Sequence, residues 1–103
     1  MGMTGLGMMQ SIPIIPENYT LYPVYPNPFN PSTNIKFDLP GNINVSLSVY
    51  DINVRLIKIL QSYIMESGYH RIVLEAGEIS SGIYLVKLQA GSFLNTQNIM
   101  LVK

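Results

Sequence analysis

The sequence predicts an all-β fold, a two-layer antiparallel sandwich of six or seven short strands. Three observations carry that expectation. From Thr33 onward apolar residues recur at every second position. Clusters of Gly, Asn, Ser and Pro interrupt the alternation at the spacing of sandwich turns. No window keeps a convincing helical period.

The elements follow in order. In "TNIKFDL", Ile35, Phe37 and Leu39 alternate with Asn34, Lys36 and Asp38, and Pro40-Gly41-Asn42 then supplies a turn. "VSLSVYD" sets Val45, Leu47 and Val49 on one face. Asp51 to Val54 should turn the chain into "RLIKILQ", with Asn53 as the residue best able to take a left-handed conformation. After Gly68, "YHRIVLE" puts His70, Ile72 and Leu74 on one side. "IYLVKLQ" is apolar on both faces, as a central strand should be, and Ala90-Gly91-Ser92 turns tightly into a last strand ending "NIMLVK". The expected core includes Ile35, Phe37, Leu47, Val49, Ile57, Ile72, Tyr84, Val86 and Leu101.

Ahead of the strands lies "YPNPFNPST", residues 25–33. Proline fixes φ and donates no amide proton, so this stretch cannot be helix or central strand. It should be a stiff, extended lead-in with few hydrogen bonds. All seven prolines fall between Pro13 and Pro40, and four of the six methionines fall within the first nine residues, which divides an apolar tail from the rest. The expected organisation is a tail over residues 1–18 and one domain over 19–103, whose first part, 19–32, is proline-rich.

Composition excludes several functions. At 103 residues the chain has room for one domain and a modest core, not for a large catalytic cleft. Six basic and six acidic residues leave no net charge and form no run, so nucleic acid and anionic lipid are poor partners. No cysteine is present, which removes disulfides and thiolate chemistry. No run approaches the length of a membrane span. His70 is the only histidine, has no nucleophile motif beside it, and is expected to pack rather than react. No enzyme activity, cofactor or metal is expected. Tyr19, Tyr22 and Tyr25 recur at every third position, but no polar side chains cluster with them along the chain, so they are expected to fold over the sandwich edge rather than form a sugar-binding platform.

The order "YPNPFNPST", "IKFDLP", "VSLSVYD", "GIYLVKLQAG" and "NIMLVK" resembles the C-terminal sorting domain of the type IX secretion system, type A. The resemblance covers residues 21–103. It implies an immunoglobulin-like sandwich related to the flagellar hook-capping immunoglobulin-like domain. It further implies an address on a larger exported protein that is read by the outer-membrane translocon, then cut by a sortase-like protease and attached at the surface. The implied location is extracellular or the outer cell surface. By position, Pro26, Asn27, Pro28, Phe29, Asn30 and Pro31 match the family's proline box. Gly82, Tyr84, Leu88 and Gly91 match its "GxYxxxLxxG" pattern, and Thr96, Ile99, Leu101 and Lys103 its terminal strand. The sequence departs where the family commonly has glycine (Val54), tryptophan (Leu74) and lysines (Gln97, Asn98). A terminal strand with unpaired backbone groups could dock by strand addition, with Ile99 and Leu101 giving specificity. The alternative is a self-assembling subunit joined through tail residues 5–16 and strand edges, as a homo-oligomer.

Overall fold

The computed structural model describes residues 14–103, so most of the expected tail, including residues 5–13 of the proposed assembly segment, lies outside the described residues. Eight strands form: β1 (Thr20–Leu21), β2 (Ser32–Leu39), β3 (Ile43–Asp51), β4 (Leu56–Gln61), β5 (Ile64–Met65), β6 (Gly68–Glu75), β7 (Gly82–Ala90) and β8 (Phe93–Leu101). β1 and β5 have two residues each, so six strands are of full length. All pairings between these strands are antiparallel. One sheet has the order β1-β2-β6, the other β4-β3-β7-β8, with β5 also paired to β3. β3–β4 and β7–β8 are hairpins within the larger sheet, and the chain changes sheets between β2 and β3, between β5 and β6 and between β6 and β7, giving an immunoglobulin-like sandwich.

The alternation read from the sequence points where expected. Ile35, Phe37 and Leu39 from β2 meet Val45, Leu47 and Val49 from β3 and Val86, Leu88 and Ala90 from β7 in one buried cluster. β7 is central, between β3 and β8. Leu74 is fully buried at the position where the resemblance implied a larger ring, Ile72 and Tyr84 are half-buried against the core, and His70 stacks on Phe37 with ring centroids 5.4 Å apart. The His70 Nε2 donates to the Glu66 carbonyl at 2.7 Å.

Ile57 is a correction: it is 39% exposed. β4 is the end strand of its sheet and faces a sheet of only three, so of its apolar residues only Leu60 packs against the core, and Leu56 and Ile59 are exposed with Ile57. Two irregularities in its pairing with β3, at Leu47/Ser48 and Val49/Tyr50, twist it further from the opposite layer.

The β3–β4 turn brings a second correction. Val54, not Asn53, takes the left-handed conformation, at φ 60°. The Val54 amide donates to the Asp51 carbonyl at 3.0 Å, closing a four-residue turn over residues 51–54, and the last position of such a turn, held by Val54, takes positive φ to lead into the next strand. A β-branched residue is strained in that region, by about 1 to 2 kcal/mol. Because Val54 is exposed and buries little, Val54→Gly is expected to stabilise the domain by about 1 kcal/mol in urea unfolding. A destabilised variant would mean that the turn is not strained.

The Asp51 carboxylate holds this turn, accepting from the amides of Asn53 (2.9 Å) and Arg55 (3.0 Å) and from Arg55 Nε (2.9 Å). The Arg55 amide foremost, with the Asn53 amide and the Arg55 guanidinium, holds the carboxyl below the usual carboxylate range. A depressed folded-state pKa means that the ionised group stabilises the fold above its unfolded pKa, and that this contribution disappears as pH falls through the folded value. Asp51→Asn is therefore expected to lower stability at neutral pH and to converge on the parent protein as pH falls through the folded-state value, with a shallower acid dependence. Parallel pH profiles would disprove the role.

At the β7–β8 hairpin, Ala90 pairs with Phe93, leaving Gly91 and Ser92 as the loop. Gly91 has φ 60°, and a Cβ built there would lie 2.7 Å from Ile43 Cδ1. The conformation favours glycine, and a larger residue would also have to displace the end of the Ile43 side chain.

Candidate functional site

β8 is an edge strand, with β7 on one side only. Its outer edge near the C-terminus is covered by the proline box. The Phe29 amide donates to the Met100 carbonyl (2.9 Å) and the Val102 amide to the Phe29 carbonyl (3.0 Å), a parallel bridge beside Leu101. Asn27 works with its side chain: Nδ2 donates to the Asn98 carbonyl (3.1 Å), while Oδ1 accepts from the Met100 amide (2.9 Å). One amide thus imitates a strand residue, satisfying a donor and an acceptor that would otherwise face solvent. Further down the strand, Gln97 Oε1 accepts from the Val24 amide (2.9 Å) and its Nε2 donates to the Tyr22 carbonyl (2.7 Å).

The proline box is therefore well bonded, which corrects the expectation of a lead-in with few hydrogen bonds. The Phe29 ring, 3% exposed, belongs to the core. Tyr25 exchanges backbone hydrogen bonds with Asn34, Pro26 accepts from the Thr33 hydroxyl (2.6 Å), and Pro31 accepts from the Ala76 amide (2.8 Å). Pro28 and Asn30 are exposed, and Pro28 borders a shallow groove with Ile83, Asn98 and Met100.

The positions matched to the family separate into two groups. Asn27, Phe29 and Leu101 meet at the seam, and Gly82 joins them because it pairs with Leu101. Ile99 and Leu101 point inward, 2% and 1% exposed, so the folded strand presents Asn98, Met100 and Val102 instead. Lys103 is tied down nearby, its amide donating to Ser81 Oγ (2.9 Å) and its Nζ to the Gly77 carbonyl (2.8 Å). Tyr84, half-buried, donates its hydroxyl to the Ser80 carbonyl (2.6 Å). Thr96 is exposed midway along β8. Leu88 and Gly91 lie toward the far end of the hairpin, where they pack and turn the chain.

Gln97 was visible in the sequence only as a departure. An amide both accepts and donates, which an ammonium cannot do, so Gln97 is suited to bridging the Val24 amide and the Tyr22 carbonyl. Its signal was a polar residue on the inward phase of a strand, in step with Ile99 and Leu101.

Among the described residues no group of three His, Asp or Glu side chains could hold a metal, and no helix is long and apolar enough to cross a membrane. The fold is an all-β sandwich whose two family motifs meet in the bonded seam along β8. The chain belongs to the secretion system C-terminal sorting domain family, whose pattern matches residues 23–103. It carries a C-terminal sorting signal for type IX secretion, a non-catalytic module on an exported protein that interacts with that secretion machinery. No curated protein matches the chain.

Proposed function

We propose that the secretion machinery reads the composite surface where the proline box lies along the end of β8. The observation that carries this reading is the seam itself: Asn27 and Asn98, 71 positions apart, are joined side by side, so two family motifs form one face. Asn98, Met100, Val102 and Pro28 are its outward side chains. Upstream on β8 the edge is covered less, and the alternation leaves the Thr96 carbonyl and the Asn98 amide without partners among the described residues, available for strand addition. Cleavage by a sortase-like protease and attachment at the outer surface follow delivery. Exposed Glu17 and Asn18, ahead of β1, mark a stretch that a protease reaches without unfolding the sandwich. Fused behind a reporter that has an inner-membrane signal, the full chain is expected to bring the reporter to the surface of a bacterium with type IX machinery. A reporter retained in the periplasm, with the domain folded, would refute the reading.

A second reading, self-association through strand edges, is favoured by β4, whose outer edge is unpaired and whose Leu56 and Ile59 are about half exposed. Sedimentation velocity decides it: a monomer at about 100 μM removes it.

A further inference from the structure

The outer face of the three-stranded sheet carries a groove of about 590 Å³, within the size range of small-ligand sites, that shares none of the outward side chains of the seam. Three adjacent strips of backbone build it. Residues 22–25 run antiparallel beside β2, with the Tyr22 amide donating to the Lys36 carbonyl (3.0 Å) and Tyr25 bridged to Asn34. β2 contributes Asn34, Lys36 and Asp38, out of phase with its buried Ile35 and Phe37. β6 adds Tyr69, paired with Asp38. The sequence showed no polar groups clustered with the tyrosines; strand register brings them there, which corrects that expectation.

Asp38 is the telling residue. It is only 6% exposed, a high degree of burial for a carboxylate on the outward phase of a strand. One oxygen accepts the Tyr22 hydroxyl. The other has no hydrogen-bond partner among the described residues, yet it is not sealed from solvent, so it is open to the groove. Water bonds that oxygen in the free protein, so a ligand that covers it has to bring a donor in the water's place.

We propose that this groove binds a flat, β-linked neutral oligosaccharide, with Tyr22, Tyr25 and Tyr69 packing on pyranose faces and Asp38 and Asn34 bonding its hydroxyls. The charge of the lining selects neutrality: Asp38 and Lys36 balance, and the His70 Nε2 is committed to the Glu66 carbonyl. A nucleotide would bring phosphate charge against a single lysine. A purely apolar ligand would desolvate the open oxygen of Asp38 without replacing its hydrogen bonds. A sugar meets both demands, since its C–H faces suit the electron-rich faces of the rings and its hydroxyls suit the carboxylate.

The test is an amide-resolved NMR titration of the full chain with cellohexaose, and with maltohexaose as the curled comparison. Saturable shifts at Tyr22, Asn34, Lys36 and Tyr69 are expected with cellohexaose at up to about 5 mM. The exposed pair Tyr25→Ala/Tyr69→Ala should weaken binding about tenfold while the melting temperature holds, and Asp38→Asn should weaken it as well. Absence of saturable shifts, shifts confined to other surfaces, or undiminished binding by the tyrosine pair variant would overturn the site. Equal affinity for maltohexaose would overturn the flat-chain assignment. The proposal stands on the groove alone, so none of these results bears on sorting.

Discussion

Replacing Phe29 with alanine is expected to destabilise the domain by about 3 to 5 kcal/mol, a large share of the stability of so small a fold. The ring is 3% exposed and sits in the same cluster as Ile35, Leu88 and Leu101, although it comes from a segment outside every named strand. Alanine keeps the two backbone bonds to Met100 and Val102, so the loss isolates the ring. Asn27→Ala removes two hydrogen bonds from an exposed edge, where water replaces them, and should cost about 1 kcal/mol. Urea unfolding of both variants gives the ranking. If Phe29→Ala costs less than about 1 kcal/mol, the proline box rests on the sandwich without anchoring it.

Deleting Ile99 to Lys103 is expected to abolish both export and cooperative unfolding. Ile99 and Leu101 are core side chains, each worth about 2 to 5 kcal/mol, and both backbone partners of Phe29 and the Met100 partner of Asn27 leave with them. Truncation alone therefore cannot separate a lost signal from a lost fold. The double substitution Met100→Asp/Val102→Asp does separate them, because both side chains are exposed and their backbone bonds stay in place. A thermal melt within a few degrees of the parent, with the reporter held in the periplasm, is the expected result. Surface delivery by that folded variant would remove Met100 and Val102 from the recognised face.

Alternation was enough to orient Ile35, Phe37, Leu47, Val49, Val86 and Leu101 because a one-residue slip would turn each of them to solvent. It failed for Ile57 because a strand's own pattern carries no information about the width of the sheet opposite. At the β3–β4 turn, propensity selected the most tolerant residue, Asn53, whereas the Asp51 carboxylate fixes the register and assigns positive φ to Val54. The seam lay beyond local reading. Asn27 and Gln97 each look like an unremarkable surface amide until backbone groups some seventy positions away are brought to them. Asp38 looked like the polar half of an alternating pair, and only the register with Tyr69 makes it part of a groove.

The seam also ties closure of the domain to completion of β8. Residues 24–29 are made before the groups that hold them, which run from Gln97 to Val102. Contacts of such long sequence separation form late and close the structure as a clasp closes a band. A chain cut off before Met100 leaves Phe29 without its two strand partners and the Asn27 Oδ1 without a donor. Any receptor that requires the closed clasp thereby rejects unfinished molecules.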